Sequence, residues 1–270
     1  DELRDSLDQK VNFGNDLLSK EDKSGETLFT TREALAEEKT LIKSAREGLG
    51  VLEPINEGYA VQNEQLTTEQ ALAVEHVVNS KDFITAISGK AGVGKTYSIK
   101  EVANAVDEVG MSFTAVAPSS EASRTVQRDE GFEGATTIAD LLQNETVQER
   151  IKDGVLWVDE ASLVGNITMT NVIELAKKQN ARLLLTGDTY QHNSPERGDA
   201  YRILQKYGGI EPANINKIQR QKRDDYREAV TMISEGDVSN GFEKLDGMGA
   251  IMEAETMNDL YHNAADEYVK

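Results

Sequence analysis

At 270 residues the chain is long enough for one large domain or two smaller ones with a buried core. It has no cysteine, which excludes disulfides and thiolate metal sites and fits a reducing cytoplasm, the expected location. The formal net charge of −19 excludes a broadly basic nucleic-acid binder, so any such footprint must be local. No run of 18 apolar residues and no charged-then-apolar start occur, so neither a membrane span nor a signal peptide is expected.

Residues 1–65 read as a small, polar, helical segment followed by a linker. Leu3, Leu7, Val11, Leu17 and Leu18 give one irregular apolar face. Leu35, Leu41, Ile42 and Ala45 give another, within a helix expected over 31–49. Thr31 suits its N-cap, and Gly48 and Gly50 suit its end. Pro54 and Gly58 mark the linker. The segment shows no chemistry of its own.

From Leu66 the pattern changes to alternating strands and helices. Strands are expected over 83–88, 112–117, 154–158 and 181–186. Helices are expected over 96–109, 119–130, 137–143 and 168–179. Such alternation predicts an α/β fold, a parallel sheet with helices on both faces. Before the first strand, Thr67 or Thr68 can cap an amphipathic helix, and Gln70 can offer its amide to an adenine edge.

Gly89-Lys90-Ala91-Gly92-Val93-Gly94-Lys95-Thr96 fits the phosphate-binding loop pattern G-x-x-x-x-G-K-[ST] at every fixed position. A buried strand precedes it and a helix follows, so its backbone N–H groups form a nest aimed at an anion. Lys95 would reach the β- and γ-phosphates, and the Thr96 hydroxyl would ligate Mg²⁺. The expected ATP site comprises Gln70, Gly89, Gly92, Val93, Gly94, Lys95, Thr96 and Tyr97. A plain glycine-rich turn would leave Lys95 and Thr96 unexplained.

Ala117-Pro118-Ser119-Ser120 ends the next strand, and Thr136-Thr137 opens a short helix. Pro118, Ser119 and Thr137 are candidate phosphodiester contacts, because small hydroxyls and helix N-termini suit such groups. By spacing alone, both stretches equally suit plain helix caps. Val155-Leu156-Trp157-Val158-Asp159-Glu160 is an apolar strand ending in two carboxylates. Asp159 suits the Mg²⁺ shell, and Glu160 suits a general base acting on water. Leu183-Leu184-Leu185-Thr186-Gly187-Asp188 is another buried strand running into a polar turn. Beyond it, the amide of Gln191 can touch a γ-phosphate and sense its loss. The densest basic run is Lys217-Ile218-Gln219-Arg220-Gln221-Lys222-Arg223. Helices over 224–235, 238–245 and 256–269 and a short strand over 250–253 follow.

In order, Gln70, the 89–96 loop, Ala117-Pro118, Thr137-Ile138, Asp159-Glu160-Ala161-Ser162, Gly187-Asp188-Thr189-Tyr190-Gln191 and Arg220-Gln221 resemble the motifs of superfamily one helicases of the RecD-like branch. Gln191 to Asp199, Tyr226-Arg227-Glu228-Ala229-Val230 and Phe29-Thr30-Thr31-Arg32-Glu33 narrow the resemblance to conjugative relaxase–helicases of the TraI/TrwC type. It covers most of the chain and is most specific over 66–249. It implies a RecA-like sheet, ATP and Mg²⁺, and a motor moving 5′ to 3′ on single-stranded DNA. It also implies that Arg220 reaches the γ-phosphate from across the cleft, where a planar, always-charged group is suited. Catalytic roles thus fall to Lys95, Glu160, Gln191 and Arg220. The expected division is a segment over 1–65, a first motor domain over 66–220 and the start of a second over 221–270. The chain reads as part of a longer protein, whose relaxase domain and remaining motor would be its intramolecular partners.

The chain departs from the family's full pattern in two ways: the later motifs of the second motor domain, including a second arginine, are expected beyond Lys270, and the stretch after Ala117 differs. The stretch after Ala117 reads Pro118-Ser119-Ser120-Glu121, and a glutamate beside a DNA phosphate is unfavourable. Two other classes remain in view. One is a degenerate helicase-like module that binds single strands without motor activity. The other is an unrelated phosphate-loop ATPase or kinase, which the turn ending in Gln191 and the Arg220-Gln221 pair argue against.

Overall fold

The computed structural model describes residues 17–21, 25–90, 92–128, 131–188, 194–216, 224–234, 236–251, 253–254 and 256–269. These fall in two compact units, Asp1–Asn216 and Lys217–Lys270. The first opens with an antiparallel hairpin, β1 (Leu17–Glu21) and β2 (Thr27–Thr31), where the sequence reading expected helix. Phe29 and three threonines favour extended backbone in β2, and Gly25, at φ 85°, supplies the left-handed turn conformation beside it. Thr31 then caps α1 (Arg32–Arg46), its hydroxyl accepting the Ala34 N–H at 3.1 Å.

A six-stranded parallel sheet is the frame of this unit. Its strands are β3 (Ile84–Ser88), β4 (Phe113–Ala117), β5 (Thr136–Thr137), β6 (Val155–Val158), β7 (Arg182–Gly187) and β8 (Ala213–Asn214). Their spatial order is β5-β4-β6-β7-β3-β8. Every residue of β3 and β6 is buried, as expected of strands covered on both faces. The helices between them are α2 (Thr68–Asn79), α3 (Lys95–Glu108), α4 (Ser120–Arg128), α5 (Ile138–Gln143), α6 (Glu145–Arg150), α7 (Asn166–Lys178) and α8 (Ala200–Lys206).

Strand alternation divides the core in two. Ile84, Ala86, Leu156, Val158, Leu183 and Leu185 share one apolar cluster with Leu41 and Ala45 of α1, Met169 and Ile173 of α7, and Leu204 of α8. The residues between them, among them Ile87, Trp157 and Leu184, point to the opposite face. There α2 and α3 supply Val74, Val77, Val78, Ile99, Val102 and Val106, all buried. The stretch from Leu52 to Leu66 is also tied down. The buried Glu101 carboxylate accepts from the Tyr59 hydroxyl at 2.9 Å and the Gln62 N–H at 2.5 Å.

The second unit holds α9 (Asp224–Ser234), α10 (Val238–Gly247) and α11 (Met257–Val269). The strand expected over 250–253 is not formed by its described residues. A strand needs a neighbour to pair with, and no other strand exists among the described residues of this unit.

Candidate active site

In a parallel sheet all strands end on the same side, and sites form there. Here the register aligns those ends. Ser88 of β3 pairs with Gly187 of β7, Leu185 of β7 with Val158 of β6, and Val116 of β4 with Val158. The turns that follow β3, β4, β6 and β7 carry the phosphate loop, Pro118-Ser119, Asp159-Glu160 and Asp188.

The loop between β3 and α3 is built around its glycines. Gly92 and Gly94 have φ of 80° and 81°, in the left-handed region where a Cβ is strained. A Cβ on Gly94 would lie 2.4 Å from Gln70 Nε2, and one on Gly89 would lie 2.4 Å from the Ile215 carbonyl oxygen. The loop is therefore gripped from both sides. Gly89 N–H also donates to the Gly187 carbonyl at 3.1 Å, fixing the loop's start to β7. Gly94 forms the N-cap of α3 without a side-chain cap, and the positive end of the helix dipole there favours an anion. Lys95 Nζ folds back to the loop's own carbonyls, at 2.6 Å from Gly89 O and 3.2 Å from Lys90 O. That places the cation at the loop's mouth. Tyr97 stands half exposed on the same turn, with Lys100 Nζ 5.8 Å from its ring centre.

Gln70 turns its amide toward the phosphate loop in this structure. Its Nε2 donates to Val93 O at 3.0 Å and Gly94 O at 3.2 Å, and its Oε1 accepts the Thr67 N–H at 2.9 Å. It is 4% exposed, and both of its N–H donors are committed to the loop.

Asp159 and Glu160 follow β6, two strands away from the phosphate loop with β7 between them. At about 4.8 Å per strand, this separates loop and carboxylates by roughly 10 Å of sheet, room for a phosphate, a cation and a water. Asp159 is fixed by its N–H to the Val116 carbonyl at 2.9 Å and by the Thr186 hydroxyl at 2.7 Å from Oδ1. Glu160 takes the left-handed backbone, φ 49°, where a non-glycine residue is uncommon. It leads into a 3₁₀ turn over Ala161–Leu163. Partial desolvation in the cleft raises its carboxyl above the usual range. The charge of Asp159 adds to this, and Lys95 works against it.

These residues suit a nucleotide with Mg²⁺. The glycine loop runs into the N-terminus of α3, which favours an anion, while Thr96 follows Lys95 on α3 and Asp159 directly follows β6 of the same sheet. Among the described residues no group of three or more His, Cys, Asp or Glu could cage a metal. Mg²⁺ in phosphate sites takes only one or two protein oxygens beside phosphate and water, so that donor set is sufficient.

The candidate DNA contacts meet at the far end of the same edge. Ala117 pairs with Thr137, so Pro118, Ser119 and Thr137 are neighbours. Their hydroxyls already act as caps. Ser119 Oγ accepts the Ala122 N–H at 3.1 Å, and Thr137 Oγ1 accepts the Asp140 N–H at 3.1 Å. Thr137 ends β5 and is at the same time the N-cap of α5, at the helix start expected of it. Gln191 and Arg220 lie outside the described residues. One support escaped the sequence reading. Thr186, which holds Asp159, is the sole polar side chain between the leucines and the glycine of β7, and that oddity was its signal.

The profile of a family described as AAA domain matches residues 65–256. The chain is similar to the conjugal transfer protein TraA of Rhizobium radiobacter, 28% identical over 218 residues, covering 78% of this chain and 20% of TraA. It is also similar to the multifunctional conjugation protein TraI of Escherichia coli strain K12, 27% identical over 242 residues, covering 83% of this chain and 13% of TraI. The chain thus spans about a fifth or less of the length of these relatives. Among solved structures, one of Pif1 helicases at forked double-stranded DNA shares the fold. Its TM-score is 0.51 at 18% identity, covering 67% of this chain and 50% of that one.

Proposed function

This chain belongs to the AAA domain family, and from that premise we propose that residues 66–220 form the first motor domain of an ATP-dependent DNA helicase. The residues from 221 on begin the second. The whole protein would be a conjugative relaxase–helicase that moves 5′ to 3′ on single-stranded DNA, its relaxase and remaining motor parts lying elsewhere in the chain. The observation that carries the reading is the glycine cradle with Lys95 at its mouth, on the same sheet edge as Asp159 and Glu160. The similarity to TraA and TraI supports the conjugative setting.

Each group has a task set by its chemistry. The loop amides and Lys95 bind the β- and γ-phosphates and offset their charge. Thr96 and Asp159 would hold Mg²⁺, which supplies neutralisation of the phosphate charge. Glu160 accepts a proton from the attacking water, and the upward shift of its carboxyl makes it a stronger base than an ordinary glutamate. Gln191 and Arg220 would sense and stabilise the γ-phosphate. Pro118, Ser119 and Thr137 would meet the DNA backbone. Retention of Lys95, Thr96, Asp159 and Glu160 favours a motor over a degenerate binding module.

Calorimetry with ADP and Mg²⁺ tests the nucleotide site. The chain is expected to bind, and Lys95→Ala to abolish binding by removing the charge opposite the phosphates. Equal affinity in the two would sink the assignment.

A further inference from the structure

Thr186 is fully buried in the middle of the sheet, between β6 and β3. A buried hydroxyl must find its partners inside the protein. One is Trp157, itself 1% exposed, whose Nε1 lies 2.8 Å from Thr186 Oγ1. An indole nitrogen only donates, so Thr186 accepts here, and its single proton is left for another group. Two acceptors compete for it. Asp159 Oδ1 is at 2.7 Å and Val158 O at 3.5 Å. The short contact to a carboxylate takes the proton.

We propose that Thr186, its hydroxyl direction dictated by Trp157, is a positioning residue for Asp159. The chain of donors runs one way, from indole to hydroxyl to carboxylate. It occupies Asp159 Oδ1 and leaves Oδ2, which makes no hydrogen bond among the described residues, as the oxygen for the Mg²⁺ shell. The indole packs in turn into a cluster with two phenyl rings. Phe132 stands edge-on at 4.9 Å between centres, and Phe113 is at 6.2 Å. The relay therefore starts from a fixed point. Outer groups that orient metal-binding carboxylates commonly change metal affinity about 10–100-fold when removed.

This inference rests on the proposed nucleotide and Mg²⁺ site. It also carries its own reporter, because Trp157 is the sole tryptophan of the chain. The experiment titrates Mg²⁺ at fixed ADP, reading binding by calorimetry and Trp157 by fluorescence, in wild type, Thr186→Val, Thr186→Ser and Trp157→Phe. In wild type, Mg²⁺ with ADP should change the Trp157 emission. Thr186→Val should need roughly tenfold more Mg²⁺ for half-saturation and lose that response. Thr186→Ser, which keeps the hydroxyl, should restore both. Trp157→Phe, which keeps the ring packing but not the donor, should raise the Mg²⁺ requirement by less, and it serves if Thr186→Val does not fold. A hydroxyl that merely satisfied Trp157 in the core would lower thermal stability in Thr186→Val and leave the Mg²⁺ requirement unchanged. That result, or an unchanged requirement in Trp157→Phe should Thr186→Val not fold, overturns the relay while leaving the nucleotide site intact. No Mg²⁺-dependent ADP binding in wild type overturns the proposed function and the relay with it.

Discussion

Gln70 Nε2 lies 3.0 Å from the Val93 carbonyl oxygen while Gln70 Oε1 closes the capping box on the Thr67 N–H, so one amide joins the start of α2 to the phosphate loop. A loop rich in glycine is costly to hold in one shape, since glycine has the most backbone freedom to lose. The bracing amide offsets that cost from outside the loop. Gln70→Ala removes both contacts and leaves two loop carbonyls without this donor. It should lower stability by about 1–3 kcal/mol and weaken ADP binding. Gln70→Glu should be worse, because a carboxylate keeps the acceptor but sets a charge against two carbonyl oxygens. Urea unfolding and calorimetry measure both effects. A Gln70→Ala chain as stable and as tight as wild type would show that the brace is dispensable.

Glu160→Gln keeps the size of the side chain and removes its basicity. In the longer protein that carries the rest of the motor, it should still bind ATP yet turn it over at least ~100-fold more slowly, the scale of a lost general base. Turnover with single-stranded DNA decides this, and near-normal rates would move the base role to another group.

The same substitution has a consequence for stability. The Glu160 carboxyl is raised in the folded chain by partial desolvation first and by the charge of Asp159 second. A raised carboxyl contributes stability that is fully present below its unfolded pKa, about 4.3, and lost as pH rises through its folded value. Wild type should therefore lose stability relative to Glu160→Gln as pH rises above about 4. Because the side chain is exposed, solvent screening keeps the difference small. Paired thermal melts at pH 4 and pH 8 read it, since the other carboxyls cancel in the comparison. A glutamine variant that is less stable than wild type only at the higher pH would reverse the sign and refute the assignment.

Much of the sheet was legible in the sequence because it is written in continuous apolar runs. Residues 83–88, 112–117, 154–158 and 181–186 each match an observed strand to within one residue at either end. The loop glycines were legible for the same reason that they are needed, as positions where a side chain has no room. What escaped was structure without periodicity. β5 and β8 have two residues each, too short for alternation to register, and they exist because β4 and β3 offer edges to pair with. α6 and α8 span six and seven residues and depend on local caps, Asn144 for one and Asp199 for the other. The hairpin was hidden because Leu17 and Leu18 are adjacent, a spacing that fits an irregular helix face as well as a strand. Pairwise partnerships were the other blind spot. Gln70 was visible as an amide near a nucleotide, but not as a brace. Trp157 was visible as a core aromatic, but not as the donor that directs Thr186. Such links join residues 23 and 29 positions apart, and only the folded register brings them together.

The 270-residue chain alone should not unwind duplex DNA. Stepping along a strand needs two domains that close and open around ATP, so that the grip on DNA alternates between them. The first unit supplies a six-stranded sheet with the phosphate loop and both carboxylates. The unit from Lys217 supplies helices and, among its described residues, no strand. Those described residues therefore offer no second sheet edge to close over a γ-phosphate. Charge works in the same direction. Single-strand binding draws on positive grooves and stacking rings, whereas this chain carries −19 overall with one Trp, eight Tyr and six Phe. Its candidate DNA edge also has Glu121 exposed beside Ser119 and Ser120. ATP hydrolysis stimulated by single-stranded DNA should accordingly be slight. A fluorescence assay on a duplex with a 5′ single-stranded tail is the direct measurement. Clear ATP-dependent strand separation by this chain would mean that the helices after Lys217 suffice as the second grip.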